Sequence, residues 1–149
     1  MDTSLAPLWP LARTRQGEIS TDRSRLDLPA IHEFLAGSYW ALGRSRQLVE
    51  RTIENSVCFG GYLASRQVAF GRIITDTAAI AYFADIFVLP EWRGRGFGKA
   101  IVRAMVECTD KMGVNVTLLN TQDARALYEP FGFESIGDQR GLMGRSKGR

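Results

Sequence analysis

The sequence predicts an α+β fold built on one mixed, mainly antiparallel sheet. Three strand-like runs, Ser56–Ala64, Gln67–Thr75 and Ala78–Leu89, follow one another with only the short polar breaks Ser65-Arg66 and Asp76-Thr77 between them. Such spacing makes antiparallel hairpin neighbours. An amphipathic helical pattern then separates the third run from a further β-rich run, Val114–Leu119. Two strands joined by a crossover helix must lie parallel, so the sheet is mixed.

Taken in order, Glu18–Thr21 reads as a short first strand. Asp27 can cap a helix that opens with Leu28 and Pro29, and Leu28, Ile31, Phe34 and Leu35 recur at helical spacing until Gly37. A second helix runs from about Ser45 to Asn55, with Leu48, Val49 and Ile53 on one side. After the three strands, Ile101, Ala104, Met105, Cys108 and Met112 mark one face of a helix from Phe97 to Met112, closed by Gly113. Asp123–Tyr128 is a short helix stopped by Pro130 and Gly132, and Phe133–Ile136 and Gly141–Met143 read as two final strands. The expected order is β-α-α-β-β-β-α-β-α-β-β, a sheet of six or seven strands with about four helices.

The chain of 149 residues accommodates one domain, expected over 18–144. Residues 1–17, interrupted by Pro7 and Pro10, read as a disordered leader, and 145–149 as a basic tail. The apolar stretch Leu5–Ala12 lacks the basic flank and cleavage site of a secretory signal. No apolar run approaches the ~20 residues that span a bilayer, so no membrane partner is expected. A net charge of +3 suits anionic small molecules and is too modest, with aromatics too scattered, to favour nucleic acid. Cys58 and Cys108 both sit in hydrophobic segments and read as reduced core thiols of a cytoplasmic protein. With a lone His32 and no paired-cysteine spacing, no metal site is expected. The same scarcity argues against Cys58 as a nucleophile, since His32 is on a different element.

The chemistry concentrates in Val88-Leu-Pro-Glu-Trp-Arg93-Gly94-Arg95-Gly96-Phe97-Gly98-Lys99-Ala100, which leaves a strand, turns through a Gly- and Arg-rich loop and enters a helix. Glycines let backbone N–H groups approach an anion, and the open helix end adds unpaired donors and the positive end of a dipole. Arg93, Arg95 and Lys99 add formal charge, so the loop suits a pyrophosphate. A P-loop would need glycine at position 93 and Ser or Thr at position 100, where Arg93 and Ala100 stand. The dinucleotide fingerprint fails too, because the glycines at 94, 96 and 98 alternate and the preceding strands are antiparallel.

What remains is Arg-x-x-Gly-x-Gly at Arg93, Gly96 and Gly98, which resembles the loop of the GCN5-related N-acetyltransferase (GNAT) family. Ala124-x-x-Leu127-Tyr128-Glu129-Pro-Phe-Gly132-Phe133 is similar to a second segment of that family and falls on the helix after the next strand. Val88-x-Pro90-Glu91-x-Arg93 agrees as well, and the resemblance covers about Glu18 to Met143.

The resemblance implies a GNAT-like fold, acetyl-CoA as cosubstrate and an amine, small-molecule or peptide, as acceptor. It implies pyrophosphate binding by the backbone of Arg93, Gly94, Arg95, Gly96, Gly98 and Lys99. It also implies a pantetheine arm between the strand ending at Val88 and the strand ending at Leu119. There the backbone of Phe87 and Val88 would pair with it, and the Val88 N–H would hold the thioester oxygen. Tyr128 is implied as general acid to the leaving thiolate, against the alternative of plain packing between Leu127 and Phe131. Asn120 is a candidate cofactor contact or helix cap, although the family's asparagine position falls on Thr121. Homodimers are common in the family, so that state is open here.

Two further readings come from the residues themselves. Asp85, acidic within the apolar run Phe83–Val88, is a candidate base or anchor for a cationic amine; the alternative is a carboxylate bonded to backbone or to an arginine. Tyr82 could relay the proton instead. Tyr39 and Trp40, close to Arg44 across Gly43, form a candidate acceptor wall and anion clamp; the alternative is core packing with a solvated arginine. The leading expectation is direct N-acetyl transfer in a ternary complex. The competing one is a non-catalytic acyl-CoA sensor on the same fold.

Overall fold

In a computed structural model, residues 9–10, 17–137 and 141–146 are described. One mixed sheet carries five full strands: β2 (Gly17–Ser20), β3 (Val57–Leu63), β4 (Arg66–Thr75), β5 (Ile80–Val88) and β6 (Val116–Leu119). A two-residue segment, β1 (Trp9–Pro10), pairs with the outer side of β2. The strands follow chain order across the sheet, antiparallel from β2 to β5 and parallel between β5 and β6. The crossover reading therefore holds. Of the six or seven strands expected, the two final ones are not formed among the described residues. Residues 133–136 and 141–143 join no ladder, because Gly132, Gly137 and Gly141 all turn the chain through positive φ (92°, 45° and 60°). Phe133 instead packs its ring on Phe83 and Tyr128. Most of the expected leader lies outside the described residues, as does the end of the basic tail.

Four α-helices cover the sheet: α1 (Leu28–Ala36), α2 (Arg46–Glu54), α3 (Phe97–Met112) and α4 (Arg125–Tyr128). Their starts are where local chemistry puts them. The Asp27 carboxylate accepts from the Ala30 N–H and the Ser45 hydroxyl from the Leu48 N–H. Gly113 closes α3 at φ 75°. The apolar face of α3 (Phe97, Ile101, Ala104, Met105, Cys108) packs on Ile19, Phe59, Ala69, Ile73 and Phe83 from the sheet. A second cluster joins α1 and α2 to the sheet through Ile31, Leu35, Val49, Cys58, Phe70 and Phe87. Both cysteines are buried, as their apolar settings imply.

One irregularity positions the site. The β4–β5 register runs Phe70↔Phe87 and then Arg72↔Ala84, so Gly71 alone faces Asp85 and Ile86. Such a bulge bends the strand and increases its twist. Asp85 takes the left-handed conformation, φ 56°, which Asp tolerates better than most residues. Space opposite is tight: a Cβ on Gly71 would lie 2.9 Å from Met105 Sδ and 3.1 Å from Ile101 Cγ2, so those side chains would have to shift.

Candidate active site

Past the bulge, β5 and β6 part. Their last pair is Phe83↔Leu119, and β5 runs on alone to Val88. The opening belongs to a cavity of about 1320 Å³ between this strand end, the loop into α3, α4 and α1. Of the residues expected in a site, Trp40, Phe87, Val88, Arg93, Gly94, Arg95, Gly96, Gly98, Lys99 and Tyr128 line it. Asp85, Asn120, Tyr39, Arg44 and Tyr82 do not.

Backbone parity decides what the strand end offers. The Leu89 N–H donates to Val68 O at 2.9 Å, across to β4. Alternate residues point their N–H groups to opposite edges. The Val88 N–H therefore faces the side that β6 has vacated, while Phe87, like Leu89, turns its backbone to β4. The Phe87 backbone is thus engaged with β4, against the expectation that it would pair with a bound pantetheine. The Val88 carbonyl accepts from Arg93 Nε at 3.0 Å, so the first arginine of the loop is folded back on the strand end.

The loop itself has the chemistry that suits an anion. Gly94 and Gly96 adopt φ 78° and 91°, conformations that cost any side chain, and no atom lies within 4 Å of where their Cβ would be. Gly96 is the N-cap of α3, with no side chain capping the helix. The first-turn N–H groups therefore keep their hydrogen-bonding capacity, with the helix dipole behind them. Gly98 lies beside Leu127 and Val88, whose nearest carbons would stand at ordinary contact distance, 3.6 Å and 3.8 Å, from a Cβ. Arg95 stacks over Trp92 at 4.8 Å. Arg103, one turn beyond Lys99, adds a fourth cation to the lining. Its i, i+4 relation to Lys99 was the signal available in the sequence.

Tyr128 is buried, 8% exposed, with its ring edge-on to Phe133. Burial, with smaller contributions from Tyr39 and Asp123, pushes its phenol up to about 12. Asn120 is exposed and outside the cavity; the α4 turn is held by Thr121, whose hydroxyl accepts from the Ala124 N–H at 3.0 Å.

Asp85 has the second of its two readings. One carboxylate oxygen accepts from Arg72 Nε and from Arg44, both at 2.7 Å, and the other from the Trp40 indole at 3.0 Å. Burial alone would raise its pKa, but Arg72 and Arg44 outweigh it and hold the carboxyl below the usual range. A carboxylate so engaged is a poor proton acceptor. Arg44 is likewise committed and leaves no open clamp. Tyr82, 38% exposed, is not placed to relay a proton into the cavity.

The α1–α2 connection nevertheless supplies a wall. Phe34 stacks on Phe87 with ring centroids 4.0 Å apart and Trp40 lies 6.3 Å from Phe34. Tyr39 meets Trp40 edge-on at 5.2 Å. Phe34 and Asp123 were missed by sequence reasoning. Phe34 was indistinguishable from a core position of α1, and Asp123 from a helix cap.

Residues 54–135 match the family model described as an acetyltransferase (GNAT) domain. An acetyltransferase-named protein of Gibberella zeae is 25% identical over 86% of this chain and 85% of its own length. A crystal structure from Xanthomonas campestris pv. campestris, described as belonging to the GNAT family, is 43% identical with a TM-score of 0.83, covering 88% of this chain and 93% of that one. A Clostridium acetobutylicum structure, described as an acetyltransferase with acetyl-CoA, shares the fold at TM-score 0.63 and 12% identity, over 87% of this chain and 94% of that one.

Proposed function

The chain belongs to the GNAT acetyltransferase family and is an acyltransferase, and from that premise we propose that it moves the acetyl group of acetyl-CoA directly to an amine. The observation that carries the cosubstrate is the cradle at Gly94–Lys99, whose residues fit a diphosphate: open α3 amides, glycines without steric neighbours, and cations at Arg93, Arg95, Lys99 and Arg103. The acetyl-CoA present in the Clostridium relative supports the same choice.

In this reading the pantetheine arm takes the place beside β5 that β6 leaves open. The Val88 N–H donates to the thioester oxygen as charge develops there, a contact strengthened by low local polarity. The acceptor approaches along Trp40 and Phe34. Its nitrogen forms a bond to the acetyl carbon as the carbon–sulfur bond breaks, and Tyr128 gives its proton to the sulfur. An ammonium acceptor sheds one proton before attack and one after; one of these restores Tyr128 and the other leaves to water. Asp85 takes no part in proton transfer and instead holds Trp40 and Arg44 in place.

Calorimetry with acetyl-CoA, followed by free-thiol release across an amine panel, tests the reading. Saturable binding and amine-dependent thiol release are expected. Binding with no release by any amine would turn the protein into a sensor. No binding at millimolar acetyl-CoA would remove the reading altogether.

A further inference from the structure

The cavity is electrically lopsided. Its four cations all belong to the β5–α3 loop and α3, while the one carboxylate among its described lining residues is Asp123, on the wall that also carries Tyr128. Asp123 makes no salt bridge among the described residues. Among the described residues its carboxylate accepts one hydrogen bond, a long one, from the Tyr39 hydroxyl at 3.5 Å. Tyr39 in turn leans on Trp40, so the carboxylate borders the aromatic wall.

From this arrangement we infer that the acceptor is a cationic amine joined to a flat apolar body and bearing no carboxylate of its own: an arylalkylamine. The inference rests on the acetyl-transfer reading above and specifies its second substrate. Asp123 supplies the counter-charge that draws an ammonium toward Tyr128. The faces of Phe34 and Trp40 supply the surface for a ring, with cation–π attraction adding to the charge. The wall is braced by its neighbours: Phe34 is stacked on Phe87, and the Trp40 indole donates to Asp85.

An acceptor carboxylate, in contrast, finds nothing to pair with on this wall. Arg44 and Arg72 share one oxygen of Asp85, and Arg72 also donates to the Ser56 hydroxyl at 3.0 Å. Neither arginine lines the cavity. The cations that do line it are those the diphosphate claims. Placing a carboxylate beside Asp123 would add like-charge repulsion, which serves as rejection as well as preference.

The test compares 2-phenylethylamine, phenylalaninamide and phenylalanine as acceptors in the free-thiol assay. Small aliphatic amines and an uncharged-side-chain tetrapeptide complete the panel. The two carboxylate-free aryl amines should exceed phenylalanine in kcat/KM by about tenfold or more, the scale of one well-placed charge contact. Asp123→Asn keeps the acceptor atom for Tyr39 while removing the charge. It should raise the KM for 2-phenylethylamine about tenfold and shrink its advantage over phenylalanine, with the KM for acetyl-CoA unchanged. Equal or better use of phenylalanine, preference for the aliphatic amines or the peptide, or an unaltered profile in Asp123→Asn would each overturn the inference while leaving acetyl transfer standing. Failure to bind acetyl-CoA would remove both readings at once, and calorimetry separates that case.

Discussion

The indole of Trp40 donates to a carboxylate oxygen of Asp85 at 3.0 Å, tying the α1–α2 connection to the bulge of the central strand. The other oxygen carries two guanidinium groups, of which Arg72 is buried. Asp85 is thus the common partner of three side chains that are 13 to 45 residues away in sequence.

Asp85→Asn should test this hub cleanly, since Asn also tolerates the φ of 56° at this position. Loss of the charge leaves two arginines uncompensated. The expected cost is about 3 kcal/mol, at the lower end for a broken buried pair because Arg44 keeps some contact with water. The pH dependence has a definite sign. The folded-state pKa lies below the unfolded value, so the wild-type advantage is present above about pH 4 and is lost as pH falls through the depressed value. Urea denaturation of both proteins over an acidic series should show the gap closing on that side. The Asn oxygen can still accept from the Trp40 indole, so the acceptor KM should change less than the stability does.

Gly98→Ala and Gly96→Ala should separate binding from stability. At position 98 the new methyl meets Leu127 and Val88 at ordinary contact distance, and a helical Gly→Ala change adds about 0.5 kcal/mol or more to stability. Gly98 lines the cavity, so an added methyl should take up cofactor space and raise the KM for acetyl-CoA about tenfold, equivalent to about 1.4 kcal/mol. At position 96 the φ of 91° makes any side chain strained, and stability should fall by about 1–2 kcal/mol along with binding. Thermal melting and calorimetry together distinguish the two outcomes. Parallel behaviour of the two variants would argue that the glycines serve the fold alone.

The sequence made legible what depends on local pattern. The three-strand run, the limits of α3 and the glycine–arginine loop follow from short-range periodicity and turn chemistry, and each stands at or near its expected place. The site residues that sequence could not sort depend on pairing across the chain. Asp85 reads the same whether it is a base or an anchor until Arg72, Arg44 and Trp40 are known to meet on it. The parity that excludes the Phe87 amide and exposes that of Val88 is set by the register with β4, including its bulge. The two final strands failed for the opposite reason. Their apolar residues suggested extension, but Gly132, Gly137 and Gly141 turn the backbone and Phe133 finds its partners by packing.

The two thiols should be silent in the folded protein. Burial pushes Cys58 up to about 12 and Cys108 up to about 11, so neither offers thiolate at neutral pH. A chromogenic disulfide reagent should therefore label no cysteine in the native chain and both after denaturation. A native thiol that reacted at once would contradict the burial of that residue. The same silence keeps the free-thiol assay of acetyl transfer free of background from the protein.

Tyr128 carries the sharpest kinetic prediction. Its phenol stands at about 12, raised by burial first and by Tyr39 and Asp123 next, so the proton stays in place throughout the neutral and mildly alkaline range. The group can then act as an acid toward sulfur, and its own titration should impose no fall in kcat below about pH 11. Tyr128→Phe preserves the ring and its edge contact with Phe133 at 6.0 Å, so stability should change by less than about 0.5 kcal/mol. Turnover should drop by about 10²-fold or more with the KM for acetyl-CoA unaltered, the signature of an interaction made only during transfer. Were kcat to survive the substitution, water in the cavity would have to supply the proton, and the tyrosine would be left with packing as its role.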